Sequence, residues 1–181
     1  MSVSGFLTVP AAPCAQREPG PGAVTAQAFK DLFAQVPTGV TVITTSDTDG
    51  TALAGMTASA VCSLSLDPPL LLVCAANHSR TLAAIRSRGA FAVNILAQEQ
   101  VQLAQRFADP GLTQADRFAG TSHQRADGLP VLDEALAWLT CRVEHAYPGG
   151  DHTILTAAVH SLQHHGGQPL IWHQRTFRSL A

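Results

Sequence analysis

Charge is scarce in this chain, and lysine scarcer still. Charged residues make up 13% of its 181 positions, and Lys30 is the only lysine. With a net charge of −2 it lacks the clustered positive surface that non-specific nucleic-acid binding needs, so no nucleic-acid partner is expected. The other cations are arginines, which suit fixed, bidentate recognition of phosphate or carboxylate. Cysteine pairs are also missing. Cys14, Cys62, Cys74 and Cys141 lie far apart and form no CxxC, which points away from a disulfide framework and towards a reducing cytosol. No apolar run approaches the roughly 20 residues that span a bilayer. The N-terminus, MSVSGFLTVPAAPCAQ, has no basic n-region. A soluble, cytoplasmic chain without membrane contact is expected. There is no internal repeat.

What is present is apolar: 46% of residues, enough for one well-filled domain with surface left over for an oligomer. Residues 1–24 carry PAAP and PGPG and read as a flexible lead-in, leaving 25–181 as the domain. Thr25 caps a predicted helix with Phe29, Leu32, Phe33 and Val36 on its apolar face, ended by Pro37. Strands are expected at Gly39–Thr45, Leu53–Ser65, Leu70–Ala75, Phe91–Leu96, Ala135–Tyr147, His152–Leu162 and Pro169–His173. Ser79 opens a short helix that stops at Gly89, and Gln98–Ala108 forms another. Asp109–Leu129 reads as polar loop carrying an Arg117-Phe118 pair. Many short strands and few helices predict a mainly β chain, closed or partly closed into an antiparallel barrel.

The stretch GMTASAVCSLSLDPPLLLVC (55–74) is the most informative. It reads as two buried strands joined by a tight proline turn. Small residues in the first leave room for a flat guest against the backbone, and hydroxyls and amides there can donate to it. A half-buried barrel strand gives the same pattern. The array His160, His164, His165 invites zinc, but it falls at a predicted hairpin tip with no cysteine or acidic residue to complete a set. No metal site is expected.

With GVTVITT (39–45), the 55–74 stretch, SRTLAAIRSRGAFAVNIL (79–96), LAQRFADP (103–110), RFAG (117–120) and GGDHTILTAAV (149–159) in this order, the chain resembles the short-chain flavin reductase family. These are NAD(P)H-dependent partners of two-component monooxygenases. The resemblance implies a dimeric, Greek-key split β-barrel that binds FMN or FAD near the dimer interface. It also implies NADH or NADPH as co-substrate and a monooxygenase partner served by diffusing reduced flavin. It places the flavin ring and ribityl chain against Gly55, Met56, Thr57, Ala58, Ser59, Ser63 and Leu64. The phosphate falls to Ser79, Arg80 and Thr81 at a helix N-terminus.

Arg106 is either a second cation by the flavin or a solvated helix residue. His152 in GGDHT aligns with the family's motif beside the nicotinamide and is the catalytic position, with Asp151 either orienting its ring or closing the turn. Trp172 and His173 form a lid stacking on nicotinamide or flavin, or Trp172 is buried at the barrel seam. Arg175 stands where the family often has glycine, and Phe177 where it often has tyrosine. Hydride transfer to a flavin needs no protein nucleophile, because the protein's task is to hold two rings within roughly 3–3.5 Å. Two other readings share these residues: a flavin-binding module without turnover, and a flavin-retaining oxidase or monooxygenase.

Overall fold

In the computed structural model, which describes residues 7–8 and 22–180, the order is β1 (Leu7–Thr8), α1 (Ala26–Phe33), β2 (Thr38–Gly39), β3 (Thr41–Ser46), β4 (Leu53–Ala58), β5 (Val61–Leu66), β6 (Pro69–Ala76), α2 (Arg80–Arg88), β7 (Ala90–Ile95), α3 (Val101–Ala108), α4 (Gln114–Phe118), β8 (His123–Ala126), β9 (Leu129–Leu132), β10 (Ala137–Gly149), β11 (His152–His164), β12 (Ile171–His173) and β13 (Thr176–Arg178). The chain is mainly β, as its alternating apolar runs predict. Within the lead-in, Leu7–Thr8 pairs parallel with His145–Ala146, and the rest of that segment lies outside the described residues.

The main sheet runs β4-β3-β7-β10-β11-β6-β5, antiparallel at each step. Its hydrogen-bonded path is open. β4 and β5 end it on opposite sides, although only Ser59 and Ala60 separate them in sequence. The uninterrupted strand expected over Leu53–Ser65 is therefore two strands. Burial differs from expectation too: β5 is mostly exposed, with Leu66 at 91% exposure and Leu64 at 48%. Its partner β6 alternates, with Leu71, Val73 and Ala75 buried. Those side chains join Ile43, Leu82, Ile85, Phe91 and Leu155 in the main core, where α2 packs on the sheet. A second core gathers Val42, Leu96, Phe107, Phe118 and Leu170 under α3 and α4.

Helix ends follow local chemistry. The Thr25 side chain accepts from Ala28 N (3.1 Å) and the Ser79 side chain from Leu82 N (3.3 Å). Gly89, at φ +77°, closes α2. The apolar face of α1 does not turn inward: Phe29 is 55% exposed and Leu32 63%. The chain's own C-terminal hairpin holds the helix instead, through an Arg175–Asp31 ion pair and Gln174 N donating to Ala34 O (2.8 Å). Arg175 itself sits at φ +59° in that hairpin, beside Gln174 at +50°. β11 runs on to His164, so His160 and His164 lie inside a strand and not at a hairpin tip.

Candidate functional site

The free edge of β4 is the natural starting point. Gly55 stands opposite Thr44 on β3, yet its own N–H and C=O bond away from β3: the N–H donates to Gln114 Oε1 (2.8 Å) and the C=O accepts from Arg117 Nη1 (2.7 Å). Antiparallel pairs alternate between hydrogen-bonded and non-hydrogen-bonded. Thr57, two residues on, therefore also turns its main-chain N–H and C=O to this outer edge. A planar guest along β4 finds the main-chain N–H of Thr57 there, next to the exposed hydroxyls of Ser59 and Ser63.

The walls of this edge are apolar. Thr57, Ala58 and Ser59 share a cavity of about 180 Å³ with Val40, Ala104, Ala108, Trp172 and Phe177. Trp172 packs edge-on against Phe177, centroids 4.8 Å apart. Ser59 also opens into a larger groove of about 610 Å³, lined by Thr38, Val61, Ser63, Leu66 and Leu139 among others. Met56, the residue before Thr57 on β4, receives the Ser79 hydroxyl at Sδ (3.2 Å), so the start of α2 abuts the strand. Arg80 is exposed there, donating to Leu112 O at 3.3 Å.

His152 reaches the same region through the sheet. It pairs with Ala76 on β6, and Ala76 O accepts from Ser79 N (2.9 Å). Asn77 fastens the turn before it, donating from N to Asp151 O (2.9 Å) and from Nδ2 to Gly150 O (3.1 Å). The His152 ring is half-exposed, with Nδ1 2.7 Å from Asp151 Oδ1, and this contact lowers the Asp151 pKa. Asp151, expected either to orient the imidazole or to close the turn, touches the ring and also takes part in the turn through its carbonyl.

Five expected contributions differ in detail. Gly55 gives no room to a guest: a Cβ there would meet the Phe107 ring at 2.5 Å, so the glycine admits a core phenylalanine. The Thr57 hydroxyl is committed to Ala104 O (2.6 Å), which leaves its main chain as the donor. Thr81 is fully buried, its hydroxyl accepting from Gln114 Nε2 (3.2 Å), so only its main-chain N–H is left for an anion. Arg106 turns away to Ala119 O (2.9 Å) and lines a separate cleft with Glu99, Asp133 and Glu134. His173 follows Trp172 on β12 and so takes the opposite face.

Sequence reading missed Gln114 and gave Arg117, noted only in the Arg117-Phe118 pair and the RFAG segment, no role. Both lie on α4, inside the stretch expected to be loop. The signal was there in Thr113-Gln114-Ala115-Asp116, a capping box whose Thr113 and Asp116 bond reciprocally.

This geometry has known counterparts. A family model described as flavin reductase like domain matches residues 33–181. The chain belongs to that family. Among curated relatives, the flavin reductase (NADH) of Kitasatospora aureofaciens is 44% identical over 142 residues, covering 77% of this chain and 72% of that protein. The flavin-dependent monooxygenase reductase subunit HsaB of Rhodococcus jostii is 38% identical over 168 residues, 89% of this chain and 84% of the relative. A longer relative from Rhizobium meliloti matches at 39% identity, and the chain spans 44% of its length. The Streptomyces globisporus NADH:FAD oxidoreductase SgcE6, solved with NAD and FAD fragments, superposes at a TM-score of 0.79 with 31% identity, over 86% of this chain and 92% of that one.

As a flavin reductase like domain, the chain has residues that fit a flavin. β4 offers edge amides, Trp172 and Phe177 an apolar wall, and α2 an N-terminus flanked by Arg80.

Proposed function

We propose that the protein is an NAD(P)H:flavin oxidoreductase that reduces free FMN or FAD and hands it to a partner monooxygenase. The observation that carries this is the β4 edge. It gives main-chain donors and an apolar wall for one flat ring, with the N-terminus of α2 at one end and His152 close to that helix start. A bound flavin supplies the hydride-accepting ring, and the chain's own residues supply alignment. The main chain of Thr57 and Ser59 binds the ring edge, with Met56, Ala58, Ser63 and Leu64 beside it. Ser79, Arg80 and the Thr81 N–H hold the phosphate. His152 presses on the nicotinamide, steadied by Asp151, and Trp172 shields the ring from water.

The cavities beside β4 open to solvent, which suits a flavin that exchanges. This separates the reading from an oxidase, which would need an enclosed substrate chamber. The unpaired ends β4 and β5, joined through Ser59–Ala60, agree with a split barrel. The exposed apolar residues of α1 and β5 agree with a homodimer. Mixing the protein with NADH and free FMN or FAD and following the NADH absorbance tests the reading. Flavin-dependent NADH loss is expected. NADH loss that stays at the flavin-only rate overturns it, and substituting NADPH reads the nucleotide preference.

A further inference from the structure

Helix α4 joins the two halves of the proposed flavin site without lining it. Gln114 Oε1 accepts from Gly55 N on β4 (2.8 Å), while its Nε2 donates to Thr81 Oγ1 at the start of α2 (3.2 Å). One turn later Arg117 donates from Nη1 to Gly55 O (2.7 Å) and from Nη2 to Asp109 O (2.7 Å). Arg117 is only 8% exposed, and both bonds go to neutral carbonyls. Its Nε is buried with no partner among the described residues. Burial first, then the nearby Arg80 cation, lowers its pKa, against the Asp109 carboxylate, which raises it from beyond ion-pair distance. A buried guanidinium without a carboxylate partner is costly to keep, and a hydrophobic residue would suffice if the site only needed filling.

We propose that Gln114 and Arg117 are positioning residues that hold the ring-binding strand β4 and the phosphate-binding start of α2 in one register, so that a single flavin engages both at once. The proposal rests on the flavin-reductase reading above. Its physical content is a chelate effect: two subsites fixed at the right separation collect both binding energies, whereas two that drift collect only one. Gln114 contributes the direct bridge, one amide group touching both elements. Arg117 fixes the carbonyl of the same residue, Gly55, and ties it to the loop before α4.

The test compares binding of FMN and riboflavin, which differ by the phosphate, to the full chain by flavin fluorescence quenching. In the wild type, FMN is expected to bind more tightly by about tenfold or more, as one charge-assisted contact implies. Gln114→Met, which keeps length and loses both hydrogen bonds, should bring the two dissociation constants to within about threefold while riboflavin affinity stays close to wild type. Arg117→Lys, able to reach one of the two carbonyls, should give an intermediate ratio. A merely structural role would lower the melting temperature and weaken both ligands together. If either variant folds and keeps the full FMN preference, or loses both ligands in parallel, the proposal is overturned. A wild type that binds both flavins equally overturns the phosphate subsite itself. A wild type that binds neither overturns the flavin-reductase reading.

Discussion

His152 begins β11 with its ring against Asp151, so its Nδ1 side is engaged while the ring stays half-exposed. In the proposed reaction this side chain aligns a ring and transfers no proton. His152→Ala is therefore expected to raise the KM for NADH and slow hydride transfer by about a hundredfold, the cost of roughly 1 Å of misplacement. Flavin affinity should stay near wild type. Stopped-flow traces check the rate, and added imidazole should not restore it; a pKa-dependent rescue would show acid–base catalysis. Arg175 is held at φ +59°. Left-handed backbone disfavours any side chain with a Cβ by about 1–2 kcal/mol relative to glycine. Arg175→Gly should therefore melt above Arg175→Ala by about 1 kcal/mol equivalent in a denaturant titration. The parent arginine owes its place to the Asp31 ion pair, which anchors α1.

At the scale of elements, α4 is short and depends on its cap. The Thr113 hydroxyl accepts from Asp116 N (3.2 Å), while the Asp116 carboxylate accepts from Thr113 N (3.1 Å) and from the Thr113 hydroxyl (2.6 Å). Thr113→Ala should destabilise the fold by about 1 kcal/mol in chemical denaturation. The Thr113 hydroxyl and N–H hold the Asp116 pKa below 3.8. A depressed carboxylate contributes stability above its unfolded pKa and loses it as pH falls through the folded value. Acid unfolding should therefore set in at higher pH in Thr113→Ala than in the parent, read as the midpoint of a pH titration followed by circular dichroism.

How much was legible also divides by element. α2 could be read to the residue, because Ser79 and Gly89 are local signals that act through their own backbone. The break at Ser59–Ala60 was not legible. Small polar residues suit a strand as well as a strand end, and only the pairing of β4 with β3 and of β5 with β6 separates the two. Gly55 shows the same limit. Its lack of a side chain is plain in the sequence, but the occupant of the space, Phe107, is fixed by packing between distant elements. The network of Gln114 and Arg117 was hidden because it bonds main-chain atoms 59 and 62 residues away. α4 itself could have been found from its capping box.

At the scale of the whole molecule, apolar side chains remain on the outside. Phe29, Leu32, Phe33 and Val36 of the α1 region, and Leu64 and Leu66 of β5, are all exposed. Such a surface is normally covered by a partner, and a second copy of the chain is the occupant proposed above. Light scattering at micromolar concentration should give twice the chain mass. Leu66→Glu should shift it towards the monomer, and a parent that already scatters as a monomer would contradict the dimer.

The helix that leaves its apolar face outward also carries Lys30, itself exposed and the only lysine. Apart from the α-amino group, amine-directed reagents thus have one attachment point per chain, set in α1 among Phe29, Leu32 and Phe33. A dye, tether or isotopic label coupled there lands on a known turn of a known helix without engineering. Its rate of coupling as the protein is diluted becomes a direct gauge of how far that helix is covered in solution.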